Sequence, residues 1–131
     1  MTLIACVLSI EEGRLHYVNA GHPAGLLRTK GQGLVRLAST GPLVSPAFRS
    51  CKWEEESVSV GAGDLLLLYT DGVADALARE DDSGEESLLT AIQQHAGGGA
   101  PLLESILTRA RERFGGRPQP DDWTLLTATM L

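Results

Sequence analysis

The sequence predicts an α+β domain, a mostly antiparallel sheet structure with helices packed on its faces. Three observations carry that expectation. Short apolar or alternating runs occupy residues 2–69 and are parted by glycine-containing turns, as in successive hairpins. Two stretches with helical spacing, 86–96 and 101–114, come only afterwards. One last apolar run, 123–131, then returns the chain to a sheet. Strands first and helices later is not the alternating order of βαβ units.

Each element has its own reason. TLIACVLSI (2–10) is almost continuously apolar, which predicts a strand covered on both faces. EEG is a turn, and RLHYVNA (14–20) returns with Leu15, Tyr17 and Asn19 on one face and His16 and Val18 on the other. AGLLRT (24–29) and LVRL (34–37) form a second hairpin across KGQG. STGPLVSPAFRS (39–50), with a glycine and two prolines, reads as a loop without helical or strand period. WEEESVSV (53–60) is a polar strand, suited to an edge or a wet face.

DLLLLYT (64–70) is the central buried strand, and a short helix over VADALA follows it. Ser83 and Glu86 make a capping-box pattern before the next helix, which GGG (97–99) ends. Pro101 suits the first turn of a third helix, whose buried stripe is Leu103, Ile106, Leu107, Ala110 and Phe114. Arg109, Arg111 and Arg113 near its end favour the negative pole of the helix, and Gly115–Gly116 stop it.

Composition bounds the function. At 131 residues and 43% hydrophobic, the chain suits one domain with a real core. A net charge of −6 argues against a nucleic-acid partner. No apolar run is long enough to span a membrane, and LIAC comes too early, without a basic or apolar leader, to be a lipoprotein box. A cytoplasmic protein with reduced thiols at Cys6 and Cys51 is the expectation.

Three buried runs end on polar tips: NAGH (19–22), TDG (70–72) and PDD (120–122). Asp71 ends one strand and Asp121 begins another. If those strands are antiparallel neighbours, both carboxylates emerge at one sheet edge. Two such carboxylates repel unless a cation lies between them, and a divalent metal supplies it. The plainer alternatives are that Asp71 caps a helix and that PDD is ordinary turn chemistry.

Taken in order, YVNAGHPAGLL, TGPL, GDLLLLYTDGVADA and DDWTLLTATML resemble the SpoIIE/RsbU branch of the metal-dependent PPM serine/threonine protein phosphatases. The resemblance implies a sandwich of two antiparallel sheets flanked by helices. It implies hydrolysis of phosphoserine and phosphothreonine on a protein, such as an anti-anti-sigma regulator, by water bound to two Mn²⁺ or Mg²⁺ ions. By the same resemblance Asp71 and Asp121 are metal ligands, and Asp75 sits near a further, weaker metal position. Asn19, Gly21, His22, Gly72 and Asp122 then form the rim.

There are departures from the family pattern. Pro120 replaces the threonine before Asp121, Trp123 replaces an aliphatic residue, and the TG loop lacks its second glycine. The family's early Asp–Gly, whose aspartate bridges both ions, has no counterpart, since Asp71–Gly72 is the only Asp–Gly here. Residues 1–131 therefore read as one partial domain, the later part of the fold, holding two, one or no ions. Its uncovered sheet edges suit a homo-oligomer. The rival to an active phosphatase is a non-catalytic remnant or binding module on the same fold.

Overall fold

Leu65, Leu66, Leu67 and Tyr69 are all buried in the strand Leu65–Tyr69, as in a strand covered on both sides. The computed structural model describes residues 1–115, 118–119 and 121–131. The strands are β1 (Leu3–Ser9), β2 (Arg14–Ala20), β3 (Gly25–Thr29), β4 (Gly33–Leu37), β5 (Glu56–Ser59), β6 (Leu65–Tyr69) and β7 (Leu125–Thr129). The helices are α1 (Asp71–Leu77), α2 (Gly84–Gln94) and α3 (Gly99–Phe114), lying between β6 and β7 in the chain. One sheet has the order β1-β2-β5 and the other β4-β3-β6-β7, with every strand pairing antiparallel.

Alternation sorts the side chains into two cores. Leu15 and Tyr17 of β2 meet Leu27, Leu37 and Leu66 between the sheets. Leu26, Leu65 and Leu67 point the other way, against Val73, Leu77, Leu88, Ile92, Leu102 and Ile106 of the helices. The four-stranded sheet is thus the middle layer of three, which is why β3 and β6 are so apolar. Burying each such leucine contributes roughly 1.5–3 kcal/mol.

Most of the expected elements are present, with corrections. β1 is not covered on both faces: Leu3 and Val7 are exposed, because among the described residues all three helices pack on the other sheet. Residues 46–48 of the expected loop form one 3₁₀ turn capped by Ser45, whose hydroxyl accepts from the Ala47 N–H. The buried stripe of α3 runs Leu102–Ile106–Ala110, with Leu103 and Phe114 at its margin, so it is turned from the stripe the spacing suggested. Ser83 caps α2 by accepting from the Glu86 N–H at 3.2 Å. Gly115 ends α3 in the left-handed region at φ 54°, while Gly116 and Pro120 lie outside the described residues. Both cysteines are free.

Candidate active site

Three segments meet at one end of the sandwich: the exit of β2, the exit of β6 and the entry to β7. The β6–β7 register ends on the pair Tyr69 and Leu125. Beyond it the Thr70 N–H donates to the Thr124 carbonyl at 3.1 Å. The Thr124 N–H donates to Thr70 Oγ1 at 3.0 Å, and that hydroxyl donates to the Asp122 carbonyl at 3.2 Å. One threonine therefore ties TDG to residues 122–124 through a side chain that both donates and accepts.

Asp71 and Asp121 are brought to this same end. A Cβ placed on Gly72 would lie 2.7 Å from the Asp122 carbonyl oxygen and 3.2 Å from the Asp121 Cβ. The glycine after Asp71 is thus required by the strand passing beside it rather than by an unusual dihedral. The helix cap is Thr70, not Asp71, which occupies the first helical position. Its carboxylate there favours the positive pole of the helix. Asp71 Oδ1 accepts from the Gly72 N–H at 3.0 Å, and Asp121 Oδ1 accepts from the Asp122 N–H at 2.8 Å. Among the described residues no hydrogen bond reaches either Oδ2, and both aspartates are exposed.

The NAGH tip braces this end instead of adding charge to it. Asn19 is fully buried: its amide donates to the Leu37 carbonyl at 3.1 Å, and its Oδ1 accepts from the His22 N–H at 2.8 Å. Gly21 takes φ 69°, and a Cβ there would press on Leu43 at 3.1 Å. His22 Nε2 lies 3.1 Å from the Tyr69 carbonyl, which can only accept, so Nε2 carries the proton. Nδ1 is then free to accept from the Thr2 hydroxyl at 3.3 Å. His22 therefore clamps β2 to the residue two before Asp71, and the ring nitrogen facing Tyr69 has no lone pair for a metal.

Two contributors escaped the sequence reading. Thr40 of TGPL exchanges bonds with Asn19: its N–H donates to the Asn19 carbonyl at 2.8 Å, and its Oγ1 accepts from the Asn19 N–H at 3.0 Å. The TG signature pointed to this loop, but no single residue in it. Trp123 sits beside Gly72, with its ring centroid 5.5 Å from that of Phe114 on α3. An aromatic departure from an aliphatic pattern was its only signal.

Asp75 lies one turn after Asp71 on α1 and is exposed, and the Asp122 side chain is exposed as well. Among the described residues no three His, Cys, Asp or Glu side chains stand close enough to hold a metal ion. Hard divalent cations take six or more oxygen ligands, several of them carboxylate. Asp71 and Asp121 are donors of the right type, but the residues described do not by themselves fit a two-ion centre.

A two-layer antiparallel sandwich with helices on one sheet is the fold of PP2C-type phosphatase domains. The phosphatase domain of the cell fate determinant SpoIIE from Bacillus subtilis, in a manganese-presoaked form, superposes with TM-score 0.73 at 12% identity. That match covers 98% of this chain and 56% of the other.

The chain belongs to the SpoIIE family: the family model described as stage II sporulation protein E matches residues 1–131. It is 32% identical over 127 residues to protein IcfG of Synechocystis sp., a match covering 95% of this chain and 20% of IcfG. It is 31% identical over 122 residues to the phosphoserine phosphatase RsbP of Bacillus subtilis, covering 92% of this chain and 28% of RsbP. The chain thus spans less than a third of the length of either curated relative.

Proposed function

We propose that residues 1–131 form part of a metal-dependent serine/threonine protein phosphatase domain, with Asp71 and Asp121 contributing ligands to its Mn²⁺ or Mg²⁺ centre. The observation that carries this reading is the packing of Gly72 on Asp121 and Asp122, which puts both carboxylates at one end of the sandwich. The relatives support the reaction class, since RsbP is named a phosphoserine phosphatase. The substrate on this reading is a phosphorylated protein regulator of the anti-anti-sigma kind. Asp75, Asp122, Asn19, Gly21 and His22 are its flanking and bracing residues.

The test is manganese-dependent phosphate release from a phosphoserine protein, using the whole protein that carries this chain. Asp71→Asn and Asp121→Asn should each abolish release while leaving circular dichroism unchanged. Full activity in both variants would remove these aspartates from the site.

A second reading is favoured by the short donor set among the described residues. On that reading the chain keeps the fold as a binding or assembly module without the chemistry. Calorimetry decides between the two: no uptake at millimolar Mn²⁺ supports the module, and tight binding of two ions excludes it.

A further inference from the structure

We propose, resting on the phosphatase reading, that the loop 39–50 docks the residues flanking the phosphorylated residue of a protein substrate, and that Leu43 and Phe48 select apolar neighbours there. The substrate class narrows accordingly, to a phosphoserine segment with apolar side chains beside the phosphate.

The loop is a fixed platform. Thr40 is bonded to Asn19 as described above, and the Gly21 N–H donates to Ser39 Oγ at 3.3 Å. Trp53 Nε1 donates to the Pro42 carbonyl at 2.6 Å, and Gly41 lies so close to that ring that a Cβ on it would be 2.5 Å away. Val44 exchanges backbone bonds with Met1: the Met1 amine donates to the Val44 carbonyl at 3.0 Å, and the Val44 N–H donates to the Met1 carbonyl at 2.9 Å. Ser45 then caps the turn that ends on Phe48.

What the platform carries faces water. Leu43 is 42% exposed and Phe48 39%, while Gly41, Pro42, Val44 and Ser45 between and beside them are partly buried. Among the described residues, neither Leu43 nor Phe48 packs into either core. The loop is therefore held by its backbone and polar groups, and its two large apolar side chains do nothing for the fold. Residues 37–48 carry no charged side chain in a chain that is 21% charged, so this surface selects by apolar contact and not by charge.

Its position names the occupant. The Leu43 Cβ lies against Gly21, where a Cβ would be 3.1 Å away, and the next residue, His22, holds the carbonyl of Tyr69, two residues before Asp71. The loop thus borders the end of the sandwich at which Asp71 and Asp121 emerge. A phosphoserine brought to those aspartates carries its own neighbours across the adjoining surface, at roughly 3.3–3.6 Å per extended residue. Apolar neighbours gain burial there, whereas charged ones lose water without finding a partner.

The probe is a fluorescein-labelled peptide, Ser-Gly-Leu-X-Leu-Gly-Ser, in which X is the phosphonate analogue of phosphoserine and cannot be hydrolysed. Anisotropy is followed on the whole protein that carries this chain, with millimolar Mn²⁺. The peptide should bind about fivefold or more tightly than its twin with glycine at both leucines. Leu43→Ser with Phe48→Ser should bring the two peptides to within about twofold of each other. Ile10→Ser, the same kind of change at an exposed residue in the β1–β2 turn at the far end of the sandwich, should keep the full preference. If circular dichroism shows the double variant unfolded, Leu43→Gln alone serves in its place. No binding of either peptide, no leucine preference in the wild-type protein, or a preference that survives the loop variant or falls equally in Ile10→Ser would overturn the proposal. Phosphate release from a phosphoserine protein is measured alongside. Release that needs Asp71 without any leucine preference removes the docking loop and keeps the phosphatase; a leucine preference without any release keeps the loop and removes the phosphatase.

Discussion

At the scale of single residues, the candidate site is held by groups that carry no charge. Asn19 satisfies the Leu37 carbonyl and the His22 N–H from a fully buried position, and Gly72 leaves room for the β7 entry. Gly72→Ala forces a methyl group to within 2.7 Å of the Asp122 oxygen, against backbone that cannot swing aside. We expect the variant to lose about 1–3 kcal/mol in urea unfolding and to displace Asp121, with weaker Mn²⁺ uptake by calorimetry. Burial pushes the phenols of Tyr17 and Tyr69 up to about 12; Glu56 adds to the first and Glu85 to the second. A folded-state value above the unfolded one means stabilisation that is present below pH 10 and lost as pH rises through 12. These are the only two tyrosines, so tyrosinate absorbance in the native chain should rise only near pH 12 or together with unfolding seen by circular dichroism. A full rise near pH 10 with the fold intact would contradict the burial of both rings.

At the scale of elements, local signals succeeded where one short-range bond decides the outcome. Ser83→Ala should cost about 1 kcal/mol of stability, read from a shifted urea midpoint, because the Glu86 N–H loses its acceptor. The same reasoning offered Asp71 as a plain cap of α1, as the alternative to a metal ligand, and the structure gives the cap to Thr70. Thr70 has extended backbone as a cap should, yet its hydroxyl is drawn away to residues 122–124. A tertiary contact there overrides a local preference. The α3 stripe shifted for a similar reason: Leu102 and Leu103 are equally apolar in sequence, and the packing of α3 against β7 and α1 decides which one is buried.

At the scale of the whole molecule, the three layers are unequal. The four-stranded sheet is covered on both faces, whereas the three-stranded one ends in β1 with Leu3, Val7 and Leu8 exposed. Residues 2–10 carry no charged side chain, while β5, at the opposite edge of that sheet, is preceded by Glu54 and Glu55 and begins with Glu56. An uncharged apolar edge strand invites pairing with another chain. The 131-residue chain is expected to self-associate as its concentration rises in sedimentation runs, and Val7→Lys should shift it towards monomer. A wild-type chain that stays monomeric at high concentration would show that the edge is protected. Among the described residues, no helix is long and apolar enough to cross a membrane.

The sequence by itself determined the elements, their order and the acidic residues at two strand tips, because periodicity, turn chemistry and capping are short-range and leave a mark at each position. It also carried the family signature. Only the tertiary structure decided that β6 and β7 are neighbours, that Asp71 and Asp121 share one end, that His22 and Asn19 brace that end, and that β1 is bare. Those outcomes depend on which strands pair across more than fifty residues of intervening chain, a choice made by the summed burial of two cores rather than by any one residue.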